Sequence, residues 1–263
     1  MKIAVLSDVH GNLTAFQAVL LDIERQQPDY TVFAGDLCVF GARPADTLAL
    51  IRENQHIISL YGNTDEMILQ PPILSEDLNK TQREHLNFKL DSVNWVKDQL
   101  SEDDLRWLQK LPFGHRFSPP PNPKDDLLIL HANPIDVHQY IFPTEEAQRN
   151  KLGDVPFKQT PENLARMLSG VEANVIAFGH IHFPNIRQWQ KLTLANISSV
   201  SNPMDGDVHA KYGLLTWDAT KHWQIEIKHI VYDIQQEQAE LAVRRPPKWE
   251  TLSRVLDGEL FLG

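Results

Sequence analysis

The sequence predicts an α/β protein in which two β-sheets are sandwiched between helices, and three observations indicate this fold. The first half alternates short apolar runs with segments of helical periodicity. This repetition predicts parallel strands joined by right-handed crossovers. The later part carries closely spaced strand-like runs, which favour antiparallel pairing. At 263 residues the chain is long enough for one domain, expected over residues 1–263.

The first half is expected to contain three strands joined by two helices, an arrangement that brings polar residues to the strand ends. Asn12 suits the N-cap of the first helix, and Pro44 suits the first turn of the second. In chain order the elements are a strand at Lys2–Leu6, a helix from Leu13 to about Gln26, a strand at Tyr30–Ala34, a helix from Pro44 to about Asn54 and a strand at Ile57–Tyr61.

The middle of the chain is predicted to be more helical. Two helices are expected near 82–99 and 102–110, and Pro119–Pro123 breaks the chain in a turn or loop. A strand at Asp126–Leu130 follows. Residues 134–159 show no clear periodicity, so we interpret them as an irregular insertion that forms a lid or substrate wall.

The remainder is predicted to change from crossover units to antiparallel strands. A helix begins at Thr160-Pro161 and stops at Gly170, and a strand at Val175–Phe178 follows it. The later elements are strands at Asn185–Trp189, Leu192–Ile197, Tyr212–Trp217 and Trp223–Val231, then a helix at Ile234–Val243 and a break at Arg244–Pro247.

Composition restricts the class of partner. The formal net charge of −10 argues against broad binding to duplex nucleic acid, which depends on basic side chains. It still permits a small phosphorylated substrate, because bound metals invert the local field. No apolar run approaches the ~20 residues of a membrane span. The single cysteine, Cys38, is expected to pack as a small buried apolar residue. A chain with one cysteine forms no internal disulfide, which favours a cytoplasmic protein. The sequence does not indicate the oligomeric state.

Seven residues of metal-ligand type stand at the ends of predicted strands, which is where ligands gather in parallel sheets. Six of them lie in short signatures, which read Ser-Asp-Val-His-Gly-Asn, Gly-Asp, Gly-Asn and Gly-His-Ile-His. Each signature alone is commonly a turn, but their joint occurrence in this order indicates a shared site. The seven residues are Asp8, His10, Asp36, Asn63, His131, His180 and His182.

The residue types predict a centre of two divalent ions. Asp8 and His10 are two residues apart in an extended stretch, so both side chains can reach one ion. Asp36 has two carboxylate oxygens and can bridge two ions, and we expect His10, Asp36 and Asn63 to take part in catalysis. Oxygen and imidazole ligands without thiolate suit Mn, which we favour, or Fe, Ni or Zn. Paired ions of this kind catalyse phosphoryl transfer.

The succession Asp-x-His, Gly-Asp, Gly-Asn, His, Gly-His-x-His resembles the calcineurin-like metallophosphoesterase superfamily over Met1 to about Trp217. The small bacterial phosphodiesterase branch is the most similar, also through Met204-Asp205-Gly206-Asp207. The resemblance implies a four-layer α/β/β/α sandwich with two mixed sheets. It implies two ligand sets, Asp8, His10, Asp36 and His182 for one ion and Asp36, Asn63, His131 and His180 for the other.

Two positions depart from the pattern of many relatives. Thr64 follows Gly62-Asn63 where many relatives have histidine, and threonine cannot act as a general acid near neutral pH. This favours substrates with good leaving groups, or a nearby group such as Asp65 in that role. Asn196–Val200 reads Asn-Ile-Ser-Ser-Val where many relatives have Asn-Pro-Gly-Ser-Val.

These observations predict metal-assisted phosphoester hydrolysis without a covalent enzyme intermediate. A phosphodiesterase acting on small nucleotide-like substrates is favoured. A phosphomonoesterase, a protein phosphatase, a dinucleoside-polyphosphate hydrolase and a non-catalytic metal-binding scaffold are the alternatives.

Several other side chains have expected roles outside the predicted metal centre or at its edge. The expected roles are a helix cap for Asn12 and solvated surface charge for Arg43 and Lys211. Four residues of the insertion could contact a leaving group, namely His138, Tyr140, Phe142 and Arg149. The histidines expected to be structural or at the surface are His56, His85, His115, His209, His222 and His229.

Overall fold

The computed structural model describes residues 1–73, 78–119, 125–153, 156–157 and 159–260. Within these ranges the chain forms two five-stranded mixed sheets. The predicted break at 120–123 lies outside the described residues, as do residues 154, 155 and 158 of the predicted insertion. In the described part of the chain, no helix is long and apolar enough to cross a membrane.

The first sheet contains the strands that precede three of the signatures. Its parallel part consists of β1, β2 and β3, and β1 also pairs with the antiparallel hairpin of β9 and β10. Asn12 caps the first crossover helix, as predicted, because its side chain accepts from the amide of Ala15. The bounds are β1 Lys2–Leu6, α1 Leu13–Gln26, β2 Tyr30–Ala34, α2 Pro44–Glu53, β3 Ile57–Leu60, β9 Ala210–Asp218 and β10 His222–Ile230.

The second sheet has the order β4-β5-β6-β8-β7. Its three inner strands are parallel, and its two edge strands, β4 and β7, are antiparallel to their neighbours. The bounds are β4 Gly114–Phe117, β5 Leu127–Leu130, β6 Val175–Phe178, β7 Asn185–Trp189 and β8 Leu192–Asn196. The remaining helices are α3 Asn63–Leu69, α4 Lys80–Lys97, α5 Glu102–Leu108, α6 Glu145–Leu152, α7 Pro161–Met167, α8 Ile234–Arg244 and α9 Trp249–Leu256.

Side-chain alternation along the strands separates the core into layers. Ile3 and Val5 of β1 point into an apolar cluster shared with Val175 of β6, so the two sheets pack face to face. Leu6 points the other way and packs with Phe16 of α1. Similar alternation places residues of β6 against α7 on the outer side of the second sheet. The predicted four-layer α/β/β/α sandwich is therefore confirmed.

Several local features differ from the prediction. Helices α3 and α9 and edge strand β4 were not expected; α3 starts at Asn63 without a capping side chain, and β4 lies at the edge of the second sheet beside β5. The insertion at 134–159 is not irregular throughout, since it contains α6, whose apolar stripe is too weak to reveal a helix. Strand β8 is antiparallel to β7 but parallel to β6, and only the first of these was predicted.

Candidate metal centre

The seven predicted ligand residues converge at the carboxyl ends of the parallel strands. Asp8 follows β1, Asp36 follows β2, and Asn63 opens α3 just after β3. The second sheet supplies His131 after β5, and the two remaining histidines follow β6. All of them except Asn63 are buried. The two sheets therefore build one site between their strand ends, as the topology predicts.

The backbone at these positions adopts a conformation that side chains normally avoid. Positive φ angles between 49° and 68° occur at Asp8, His10, Asp36, His180 and His182. Left-handed backbone is disfavoured for residues with a Cβ atom, and such strain concentrates at functional sites. The turns that end β1, β2 and β6 are therefore held in place by surrounding contacts rather than by local preference.

The four imidazole rings are oriented by backbone carbonyl groups. A ring nitrogen that donates to a carbonyl fixes the tautomer, so the neutral ring directs the lone pair of its other nitrogen into the site. The pairs are His10 Nδ1 with Val39 O at 2.8 Å, His131 Nδ1 with Ala34 O at 2.9 Å, His182 Nδ1 with Asn202 O at 2.8 Å and His180 Nε2 with His138 O at 3.1 Å.

The inward-facing nitrogens lie in two close pairs. His10 Nε2 is 3.2 Å from His182 Nε2, and His131 Nε2 is 3.2 Å from His180 Nδ1. Two lone pairs at this distance repel each other, whereas two nitrogens bound to one ion at about 2.1 Å lie roughly 3.0–3.4 Å apart. Each nitrogen pair therefore has a spacing that suits a shared cation.

The carboxylates lie beside these nitrogen pairs. Asp8 Oδ1 is 3.1 Å from His182 Nε2 and 3.7 Å from His10 Nε2. Asp36 approaches both pairs, with Oδ2 at 3.7 Å from His10 Nε2 and Oδ1 at 3.5 Å from His131 Nε2. Ligand atoms of Asp8, His10 and His182 lie within 4.8 Å of one another, and so do those of Asp8, Asp36 and His131. The position of Asp36 between the pairs suits a bridging carboxylate.

One buried oxygen and one amide group indicate that cations fit this site. Asp8 Oδ1 is buried without a hydrogen-bond partner among the described residues. A buried oxygen without a donor is unfavourable unless a cation satisfies it. The amide atom of Asn63 that faces the site lies 2.9 Å from His131 Nε2 and His180 Nδ1 and 3.3 Å from Asp36 Oδ2, where an oxygen can bind a cation and a nitrogen can donate to these acceptors. The donor set therefore fits divalent ions.

Burial and neighbouring charges shift pKa values in the site towards the protonation states that bind metal. Burial lowers the pKa of His10 to about 4, although the charge of Asp36 opposes this shift. Burial also holds the pKa of His180 well below its ordinary value. Burial would raise the pKa of Asp8, yet His182, His131 and His10 together hold it below its ordinary value. Neutral imidazoles and ionised carboxylates are the metal-binding forms.

Asp65 is a functional residue whose part in the site the sequence reasoning missed. Its buried carboxylate accepts from the amides of Asp36 at 2.7 Å, Leu37 at 3.0 Å and Gly62 at 2.9 Å. Burial, followed by the charge of Asp36, raises its pKa to about 6, while the three amides oppose this. Asp65 therefore joins the turn after β2 to the turn after β3 through hydrogen bonds. It is a positioning residue, not the general acid that the sequence offered as one alternative.

The departure at Asn196–Val200 has a structural consequence. Ser198 has a φ of 67°, so it takes the left-handed conformation at the position where many relatives have glycine. The Asn196 side chain accepts from Ser198 N at 2.9 Å and donates to Gly179 O, while Ser198 Oγ donates to His182 O at 3.2 Å. These bonds brace the turn that carries His180 and His182.

A cavity of about 600 Å³ opens above the ligand residues. Its floor contains His10, Asp36, Asn63, His180 and His182, and Thr64 lies beside them. Other lining side chains come from α3, α4, α6 and neighbouring loops: Phe40, Met67, Asn79, Thr81, Gln82, His85, Phe88, Lys89, Tyr140, Lys151, Leu152, Asn202 and Met204. The ligand residues are thus accessible to a small molecule.

Two of the predicted charge roles need correction. Arg43 and Lys211 are buried rather than solvated. Arg43 pairs with Glu237, and Lys211 pairs with Asp205 at 3.0 Å. His85, one of the histidines expected to be structural or at the surface, lines the cavity.

The side chains considered in the insertion lie in different places. Tyr140 lines the cavity and stacks on His180, with ring centroids 4.5 Å apart. His138 pairs with Glu66 at 2.6 Å and lines a neighbouring smaller pocket, together with the buried Phe142. Arg149 lines neither of these two pockets. Only Tyr140 of the four is therefore in a position to contact a molecule in the main cavity.

Comparison with known proteins agrees with this architecture and these motifs. Residues 1–184 match the calcineurin-like phosphoesterase family. An uncharacterized protein of Methanocaldococcus jannaschii is 29% identical over 266 residues, which cover 99% of this chain and 98% of that protein. Among solved structures, a metallophosphoesterase from Sphaerobacter thermophilus superposes with a TM-score of 0.70 at 21% identity, covering 98% of both chains. A hypothetical protein from Pyrococcus horikoshii gives 0.73 at 15% identity, covering 97% of both.

The family match spans more than two thirds of the chain and includes all seven predicted ligand residues. The two structural similarities show the same fold over nearly the whole length. The resemblance inferred from the motifs is therefore confirmed. The chain belongs to the calcineurin-like phosphoesterase family of metal-dependent phosphoester hydrolases.

Proposed function

We propose that the protein is a phosphodiesterase that acts on small nucleotide-like substrates with two divalent ions, preferably Mn²⁺. The observation that carries this proposal is the unsatisfied Asp8 Oδ1 beside two inward-facing imidazole pairs in the floor of an open cavity. Bound ions would satisfy the oxygen and relieve the repulsion between the nitrogens.

The two ligand sets are proposed from the arrangement of donors. Asp8, His10 and His182 would hold one ion with one oxygen of Asp36. Asn63, His131 and His180 would hold the other with the second oxygen of Asp36. When bound, two such ions activate water and neutralise charge on a phosphoryl group. The chain itself contributes neutral imidazoles, held by carbonyl groups, and backbone turns fixed by Asp65.

The walls of the cavity support an organic phosphate as substrate. Phe40 and Phe88 stack with ring centroids 5.3 Å apart, and Met67 and Leu152 line the same space. Aromatic and aliphatic side chains of this kind bind planar or apolar groups. The part of the predicted insertion that contains Tyr140 and Leu152 thus serves as a substrate wall in this proposal.

Thr64 bears on the choice of leaving group. It is buried, its hydroxyl has no hydrogen-bond partner among the described residues, and its amide donates to Asp36 Oδ1 at 2.9 Å. A threonine hydroxyl does not protonate a leaving oxygen near neutral pH. We therefore propose a preference for leaving groups that depart without a proton. The single buried cysteine, Cys38, supports a cytoplasmic location as a further part of the proposal.

The test is turnover of two chromogenic esters after removal and replacement of metal. The protein is stripped with chelator, Mn²⁺ is restored, and bis-p-nitrophenyl phosphate is compared with p-nitrophenyl phosphate. Metal-dependent cleavage with higher kcat/KM for the diester is expected. A higher kcat/KM for the monoester would replace the phosphodiesterase with a phosphomonoesterase. Turnover that survives complete metal removal would refute the two-ion proposal.

A further inference from the structure

Two lysine side chains reach the metal-centre cavity from separate parts of the chain. Lys89 lies on α4 and Lys151 on α6, and both line the cavity whose floor contains His10, Asp36 and His180. The charges of Asp8 and Asp36 act on Lys151, and that of Asp36 acts on Lys89. Both ammonium groups therefore belong to the electrostatic environment of the site, although no motif in the sequence singles out either one.

Neither lysine has an acidic partner among the described residues. Both are half-buried, and no salt bridge or hydrogen bond joins either ammonium group to a described carboxylate. Burial lowers the pKa of Lys151 to about 8, the charges of Asp8 and Asp36 oppose this, and Lys89 adds to it. Burial lowers the pKa of Lys89 as well. A desolvated cation without a partner is unfavourable, so an anion from outside the chain would stabilise both.

The cavity contains little negative charge to balance these lysines. Asp36 is the only acidic side chain among the described residues that line it. In the proposed function, Asp8 and Asp36 bind the two ions. Their two negative charges offset only half of the four positive charges of two divalent cations. The scissile phosphate of a simple diester adds one negative charge. An excess of positive charge would remain on the side of Lys89 and Lys151, and this excess favours a substrate with further anionic groups.

We propose that Lys89 and Lys151 form a subsite for a second phosphoryl group. The preferred substrates are then organic esters of two or more linked phosphates, of the nucleoside diphosphate or polyphosphate class. The inference rests on the proposed function, because that function places the scissile phosphate over the ligand residues. The organic part would contact the apolar wall that contains Phe40 and Phe88.

Direct binding tests the subsite independently of turnover. Mn²⁺-loaded protein at fixed free Mn²⁺ is titrated calorimetrically with adenosine 5′-monophosphate and with the non-hydrolysable α,β-methylene analogue of adenosine 5′-diphosphate. The wild type is expected to bind the diphosphate analogue at least about tenfold more tightly, the effect of one or two charge-assisted hydrogen bonds. Lys89→Met and Lys151→Met should each remove most of this preference while affecting the monophosphate less.

The variants are chosen so that the result does not depend on folding defects. Methionine keeps the length of the side chain and removes a half-buried charge that has no acidic partner in the described part of the chain, so the melting temperature should not fall. Lys89→Arg and Lys151→Arg keep the charge and should retain the preference. Lys97→Gln, at the end of α4 and outside the cavity lining, is the matched control and should bind both ligands like the wild type.

The outcomes separate this inference from the proposed function. A wild type that cleaves bis-p-nitrophenyl phosphate but binds both nucleotides equally, or binds neither, would overturn the subsite and leave the hydrolase. A preference for the diphosphate that is unchanged in both methionine variants would also overturn it. A lysine-dependent preference without cleavage of either chromogenic ester would support the subsite and refute the proposed diesterase.

Discussion

Gly179→Ala is the substitution expected to damage the metal centre without removing any ligand. Gly179 connects β6 to His180, and its amide donates to His131 O at 2.9 Å. A Cβ atom added here would lie 2.2 Å from Asp8 Oδ2 and 2.3 Å from Ser7 Oγ. The amide of the next residue, His180, donates to the same Asp8 Oδ2 at 2.9 Å. The methyl group would therefore enter the contact that joins the β1 turn to the β6 turn.

The size of the effect follows from these distances. Non-bonded carbon contacts are optimal at about 3.5 Å, so the Asp8 carboxylate must move by roughly 1 Å. Overpacking costs about 1–3 kcal/mol, and loss of a hydrogen bond to a charged acceptor costs about 1.5–3 kcal/mol. The sum of about 2.5–6 kcal/mol corresponds to a fall in Tm of roughly 5–24 °C for a chain of this size. A displacement of about 1 Å at a reacting centre lowers turnover by about 10²-fold.

The assay measures Mn²⁺ per chain by elemental analysis after gel filtration, together with Tm and diester turnover. Gly170→Ala is the matched control, because Gly170 has a φ of +75° and an added Cβ atom would meet nothing within 4 Å. This control should lose only about 1–2 kcal/mol from left-handed backbone strain and keep its metal. If folded Gly179→Ala kept wild-type metal content and turnover, the packing argument for the Gly-His signature would be wrong.

Four further predictions concern single side chains. Asp36→Ala should lose more Mn²⁺ per chain than replacement of any other ligand, because Asp36 lies beside both imidazole pairs; retention of two ions would contradict its bridging role. Thr64→Val should keep or raise Tm, since the buried hydroxyl has no partner among the described residues; a clear fall in calorimetry would show otherwise. In metal-free protein the His10 ring should titrate near pH 4 by NMR, so folding stability is lost as pH falls from 6.5 towards 4, and titration near 6.5 would refute the burial argument. Glu237→Ala should destabilise by about 3–5 kcal/mol in denaturant unfolding by breaking the buried pair with Arg43, and a loss of Mn²⁺ from folded protein would contradict its separation from the centre.

The sequence was sufficient for the parts of the site that depend on local order along the chain. Each signature directly follows a strand, and parallel strands bring their carboxyl ends to one edge. The convergence of Asp8, Asp36 and Asn63 could therefore be predicted before the strand order was known. The unbroken apolar run of β1 likewise suits the observed burial of this strand on both faces. That residues 1–263 form a single domain stays a prediction.

Other features depend on contacts that no local pattern reveals. Asp65 reads as an ordinary acid after a turn, yet it accepts three amides from two different turns. Lys89 and Lys151 are far apart in the chain, and only the folded structure places both at one cavity. Ser198 adopts a left-handed turn that its residue type does not favour, because Asn196 and His182 hold it there. These features arise from tertiary contacts that override local preference.

The central claim is that two ions bound by these residues support phosphodiester hydrolysis. Native mass spectrometry during stepwise addition of Mn²⁺ to metal-free protein would count the ions on each chain, and bis-p-nitrophenyl phosphate turnover would be recorded at each step. We predict that two ions bind and that turnover follows the population of chains carrying both. Full turnover with a single bound ion, or binding of only one ion at saturation, would contradict the account.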